Sequence, residues 1–350
     1  MEIGLFTFGE VPRSTTRAAI SPAQRLREFI ELAKIADEVG LDVFGVGEHH
    51  RRDFAISSPA VVLAAIAEAT SRIRLTSTVT VLSTSDPVRV YEDFATLDLI
   101  SQGRAEITAG RGAYVESFPL YGFELEDYNE LFEEKLELLL RINRQELVTW
   151  SGNFRAPLKE AGVYPRALEG EIPVWIAVGG TPASVVRAGR NGLSTYFAIL
   201  GQPERFVDLA LLYRQSGLGA GYASDDLRLG VTSHFFVDES SQGAREVFYP
   251  YYSRYIGGNM PHARGVPLAH DHFEAWASPH GALFCGSPQE IIDKMLWEYE
   301  MLGHTRFLAQ IGLGGLPFKE TARSIELLAS EVLPVVRRAT QSGQATDTKP

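Results

Sequence analysis

A single cysteine, Cys285, in 350 residues leaves no internal disulfide framework and no multi-cysteine metal site. Basic residues are outnumbered, 33 against 44 acidic ones, and the formal net charge of −11 disfavours a polyanionic partner such as nucleic acid. The chain has no apolar run of membrane length and no charged-then-apolar leader ahead of the strand-like start at Ile3. It also lacks a Walker loop, an HExxH pair and a Ser-His-Asp order. The expectation that remains is a cytoplasmic globular enzyme acting on a small molecule, without metal, membrane or nucleic acid.

What is present is a repeating alternation of short β-branched runs with amphipathic stretches opened by proline. Ser21-Pro22, Ser58-Pro59, Asp86-Pro87, Thr181-Pro182 and Ser287-Pro288 each place proline where a helix needs no N–H partner, after a side-chain oxygen suited to the N-cap. Ser21 with Gln24 and Ser287 with Glu290 have capping-box spacing. Strands are expected at Ile3–Phe8, Leu41–Val46, Ile73–Val81, Ala105–Ala109, Val174–Val178, Thr195–Ile199, Leu229–Val237 and Thr305–Ile311. Several are apolar on both faces, as parallel strands covered by helices should be. The pattern predicts an α/β fold, a (β/α)8 TIM barrel, with a doubly wound open sheet as the runner-up. A plain barrel needs ~250 residues, so the surplus is assigned to insertions after strands 4 and 7, at 111–172 and 238–282, both expected over the barrel mouth. One domain over 1–340 and a flexible tail at 341–350 complete the expectation.

Chemistry in such a barrel belongs at the C-terminal strand ends. Gly47-Glu48-His49-His50 follows the run Val43–Val46. Neighbouring side chains on a strand point oppositely, so His49 and His50 cannot both face one ligand unless the chain has turned. A structural pair, a metal site built on Glu48 and one imidazole, and an acid/base histidine all remain open, the last suited to a pKa near ~6.5. After strand 4, Gly110-Arg111-Gly112-Ala113-Tyr114 offers a guanidinium for phosphate and an aromatic cover for a planar ring, against a plain Arg–carboxylate pair and a core tyrosine. Gly179-Gly180-Thr181-Pro182-Ala183-Ser184 is either an anion site at a helix start or an ordinary strand-to-helix turn. The loop Gly312–Pro317 competes for the same anion.

Taken in order, Glu48-His49-His50, Asp86-Pro87-Val88-Arg89, Glu92-Asp93, Leu97-Asp98, Ser101-Gln102-Gly103-Arg104, Gly110–Tyr114, Gly179–Ser184 and Gly286–Glu290 resemble the bacterial luciferase-like flavin-dependent monooxygenase family over nearly the whole chain. The resemblance implies FMN across the barrel mouth, with Arg111, Thr181, Ser184 and the amides of Gly179 and Gly180 on its phosphate and Tyr114 beside its ring. It further implies a non-proline cis peptide at Thr78-Val79, also beside the ring. The implied reaction uses reduced FMN and O2, through a flavin C4a-(hydro)peroxide, to oxygenate a small organic substrate. His49 is the residue it suggests for proton handling, with His50, Glu48 and His234 behind it and Tyr249, Tyr251, Tyr252 and Tyr255 on a lid. A separate flavin reductase and a homodimer, through 60–69 and 91–99, are also implied. Light-emitting relatives carry a cysteine where Gly110 stands and a glutamate where Gly180 aligns, so luminescence is not expected. The alternatives are an F420-dependent hydride-transfer enzyme, calling on Arg51, Arg52 or Arg254 for the anionic tail, and a non-enzymatic flavin-binding barrel.

Overall fold

The computed structural model describes residues 1–11, 20–112, 114–259, 263 and 265–344. Among them, eight parallel strands close on themselves: β1 (Glu2–Thr7), β2 (Val43–Val46), β3 (Arg74–Ser77), β4 (Ala105–Gly110), β5 (Val174–Val178), β6 (Ser194–Ala198), β7 (Leu229–Val237) and β8 (Arg306–Gln310). β8 pairs with β1 and β6 with β7, so the barrel has no open edge. The architecture is the (β/α)8 barrel, not the open sheet. Its strands are buried on both faces, as the two-sided apolar runs require.

The helix starts divide. Ser21, Asp86 and Ser287 accept backbone N–H bonds as N-caps, and Ser287 with Glu290 forms the full capping box. Gln24 instead reaches forward to Glu28, so only half of the first box forms. Ser58 and Thr181 make no side-chain cap bond, and the Thr181 hydroxyl has another partner, described below.

The expected strand Ile73–Val81 is interrupted. Arg74–Ser77 and the short piece Thr80–Val81 are separated by the Thr78-Val79 peptide, which is cis. Adjacent strands come close there because they carry glycine. A Cβ on Gly47 would lie 2.4 Å from the Thr78 carbonyl oxygen, and one on Gly110 would lie 2.6 Å from Val79 Cγ2.

The lower end of the barrel is plugged by ionic groups. Arg306 holds Glu106 with two hydrogen bonds of 2.6 and 3.1 Å, Glu2 at 2.6 Å and the Tyr196 hydroxyl at 2.8 Å. Its guanidinium lies 4.4 Å from the Trp175 ring centroid. Arg306 and Glu106 are fully buried, a geometry in which the Coulomb gain can offset desolvation because every polar atom is engaged.

The insertion after β4 differs from expectation. Helix Tyr128–Arg144 covers the barrel, and an unanticipated antiparallel hairpin, Leu147–Trp150 with Leu158–Gly162, follows it. The hairpin packs on that helix. Glu134 on that helix accepts the Asn153 and Phe154 amides, and Arg155 pairs with Asp86. The insertion after β7 supplies helices Ser241–Asn259 and His270–Ala277 and a three-residue strand, Phe284–Gly286, beside the tip of β7. At the C-terminus, 341–344 continue the last helix, Leu333–Gln344. The rest of the expected tail, 345–350, lies outside the described residues, as does Ala113.

Candidate active site

Arg111, just past β4, reaches across to the start of helix Pro182–Arg190 after β5. Its Nη2 donates to Ser184 Oγ at 3.1 Å and to Thr181 Oγ1 at 3.5 Å, while Nη1 donates to Asn129 Oδ1 at 2.7 Å. The guanidinium also lies over the Tyr128 ring, whose hydroxyl donates to the Gly112 carbonyl. Its recorded partners are neutral, so the plain Arg–carboxylate reading is not what forms. Gly179 and Gly180 are exposed, and a Cβ on either would meet nothing within 4 Å. Gly180 has φ +114°, which a residue with a side chain rarely adopts. Free amides at a helix start, two hydroxyls and one partly exposed guanidinium therefore converge on open space, the composition of an anion cradle. The rival loop Gly312–Pro317 turns inward, with Leu313 and Leu316 buried in an apolar cluster.

The two histidines beyond β2 part company. His49 is buried and packed between Phe8, Phe54 and Tyr114, with ring centroids 4.4–4.6 Å away, and its Nδ1 lies 3.3 Å from Glu116 Oε1. Burial pushes the Glu116 carboxyl up, but the His49 hydrogen bond, its own backbone amide and the nearby His49 and Arg51 outweigh that and hold it below the usual range. His50 faces Glu48 instead, Nε2 to Oε2 3.5 Å, with Tyr121 edge-on. The Glu48 hydrogen bond raises the His50 pKa against the opposing effect of burial. Glu48 also accepts the Val81 amide at 2.5 Å, tying the end of β2 to the chain just beyond Thr78-Val79.

Tyr114 stands T-shaped to His49, its hydroxyl donating to the Asn259 carbonyl at 3.2 Å, with Arg51 5.3 Å from its ring centroid. A loop bridge between Glu10 and Phe54 brings the ends of β1 and β2 together. The site is thus built from the C-terminal ends of β1 to β5.

A family model described as luciferase-like monooxygenase matches residues 1–306. The chain belongs to that family.

Among the relatives of this luciferase-like chain is the oxygenase component of a flavin-dependent trigonelline monooxygenase from Acinetobacter baylyi, 24% identical over 88% of this chain and 89% of its own. An F420-dependent glucose-6-phosphate dehydrogenase from Amycolatopsis mediterranei is 32% identical over 47% of this chain and 51% of its own. A monooxygenase structure from Streptomyces bottropensis superposes with a TM-score of 0.85 at 26% identity, covering 95% of this chain and 99% of that one.

The far side of the luciferase-like mouth, at β7, β8 and β1, holds groups that sequence reasoning ranked low or missed. His234 on β7 is buried beside Tyr252, Nδ1 to hydroxyl 2.8 Å, and burial pushes its pKa down to about 3. Tyr249, Tyr251, Tyr252 and Tyr255 all lie on helix Ser241–Asn259, and the Tyr249 hydroxyl donates to the Leu268 carbonyl. Glu10 was overlooked. It is buried, Gln310 Nε2 donates to its Oε1 at 3.4 Å, and burial pushes its pKa up to about 8 against the opposing effects of Arg25, Gln310 and the Gly314 backbone. Asn129, Tyr128 and Glu116 were also missed. Each lies in an insertion, where no periodicity signals which side chain turns toward the mouth.

Proposed function

We propose that this chain is an FMN-dependent monooxygenase that uses reduced flavin and O2 to oxygenate a small organic substrate, with the flavin reduced by a separate reductase. The observation that carries the reading is the convergence of Arg111 with Ser184 and Thr181 at an open helix start, a fit for a terminal phosphate on a planar cofactor. Arg111, Thr181, Ser184, Gly179 and Gly180 would hold the phosphate, and Thr78, Val79 and Tyr114 would complete the binding set. When bound, the reduced cofactor supplies the electrons for oxygen chemistry, and the protein supplies orientation, proton handling and exclusion of water.

His49 is the proton-handling residue of this reading. Donation of its Nδ1 proton to Glu116 leaves Nε2 as an acceptor, and the surrounding rings of Phe8, Phe54 and Tyr114 restrict water around it. Glu116 is the positioning residue, because it selects the tautomer. His50, engaged by Glu48, fits a supporting role at the β2–β3 junction. A homodimer would draw on the exposed apolar side chains Val61, Leu99 and Ile100 of helices Pro59–Ala69 and Pro87–Ser101.

The test is titration with FMN, reduced FMN and F420, followed by mixing the reduced complex with air while absorbance is recorded. Preferential binding of reduced FMN with an oxygen-dependent transient supports the reading. Preferential F420 binding without that transient would transfer the chain to hydride-transfer chemistry. Arg51 is already paired with Asp53 at 2.6 Å and packed on Phe54 and Tyr114, which leaves exposed Arg52 and Arg254 for a long anionic tail. Unaltered turnover in His49→Ala would remove the proton-handling role.

A further inference from the structure

Outside the residues of the candidate active site, a cavity of about 160 Å³ is formed by the end of helix His270–Ala277, strand Phe284–Gly286 and helix Pro288–Leu302. Pro279, His280 and Asp293 form an exposed rim. Ala277, Cys285, Ile291 and Lys294 line its buried part. His280 stacks on Trp297 with ring centroids 4.7 Å apart, giving one flat wall.

The charges around the cavity are unequally satisfied. Asp293 accepts from Gln289 at 2.8 Å, and Glu290 accepts the Ser287 amide at 3.1 Å and pairs with Arg245 at 3.4 Å. Arg245 in turn holds Glu274 at 3.0 Å. Lys294 differs: it is 4% exposed, and its Nζ donates to the Leu283 carbonyl at 2.8 Å and lies 5.3 Å from the Phe284 ring centroid. An ammonium has three donors, and one of them is engaged by the Leu283 carbonyl. Burial pushes the Lys294 pKa down to about 8 and that of Glu298, one helical turn on, up to about 8, while the charge of each acts on the other against burial.

A buried cation is costly unless an anion or acceptor meets it. The cavity is the size of one that holds a benzene-sized molecule, about 150 Å³. We infer that it is a binding site for a short monocarboxylate, whose oxygens accept from Lys294 Nζ and whose alkyl body lies against Ile291, Cys285 and Trp297. This site is separate from the Arg111 cradle and does not depend on the proposed flavin chemistry.

The experiment is calorimetric titration of the full chain with sodium butanoate and with butanamide, its uncharged counterpart, with Trp fluorescence recorded in parallel. The expected result is saturable one-to-one binding with Kd on the order of 1 mM for so small a ligand, at least tenfold weaker for butanamide. Lys294→Met should abolish butanoate binding, and Trp297→Phe should remove the fluorescence response. Absence of saturable binding, equal affinity for the amide, full binding by a folded Lys294→Met variant, or competition by inorganic phosphate acting at Arg111 would each overturn the assignment. If Lys294→Met does not fold, the acid-against-amide comparison on the unmodified chain decides.

Discussion

Replacing Arg111 by methionine tests the anion cradle with a magnitude that can be worked from its geometry. The guanidinium is partly exposed and contributes hydrogen bonds to Asn129, Thr181 and Ser184, of which Asn129 and Thr181 are exposed and free to turn to solvent and only Ser184 is buried. Its loss should therefore cost the empty protein little stability. A phosphate loses one charge-assisted interaction, typically about 1.5–3 kcal/mol, or roughly 10–150-fold in Kd. Arg111→Lys should fall between, because lysine keeps the charge but not the planar fork that spans Asn129 and Ser184. The assay compares FMN with riboflavin by quenching of flavin fluorescence. Riboflavin lacks the phosphate, so its affinity should be almost unchanged in Arg111→Met while that of FMN falls. Equal losses for both flavins would mean that the substitution deformed the mouth. No loss for either would mean that the phosphate lies elsewhere, and the argument from Arg111, Thr181 and Ser184 would be refuted.

Three further outcomes follow from the same structure. His50, with its pKa raised by Glu48, should add stability that is fully present below the unfolded pKa near ~6.5 and lost as pH rises through the higher folded value; urea unfolding of the unmodified chain and His50→Gln between mildly acidic and mildly alkaline pH should show that advantage shrinking. Glu10, raised to about 8, should make the unmodified chain lose stability relative to Glu10→Gln as pH climbs from the ordinary carboxylate range to about 8 and level off above it, whereas parallel pH profiles would show that Glu10 is not held neutral. At the barrel floor, Glu106→Leu leaves Arg306 buried without its bidentate partner and should cost about 3–5 kcal/mol by chemical denaturation, a loss that a change under 1 kcal/mol would contradict.

The strand and helix pattern was legible because burial on both faces of parallel strands and proline-led helix starts are local facts, written in runs of four to eight residues. The same holds for Ser21, Asp86 and Ser287 as caps. Ser58 and Thr181 looked identical to them in sequence but make no cap bond, since the Thr181 hydroxyl is shared with a guanidinium from a segment 70 residues earlier. The hairpin at 147–162 was missed because its residues are mostly exposed, so it carries little apolar alternation to read.

What the sequence determined by itself is the barrel, the place of each strand end within it and the residue types available at its mouth, because these depend on periodicity and on chain order. Only the tertiary structure decided which of those residues meet. It set His49 against Glu116 and His50 against Glu48, although the two imidazoles are adjacent in the chain. It joined Arg111 to Asn129 and Ser184, and buried Glu10 beside Gln310, 300 residues away. Such pairings are fixed by the closure of the barrel and the folding of its insertions over the mouth, and burial, a property of the whole molecule, sets the charge that each group carries.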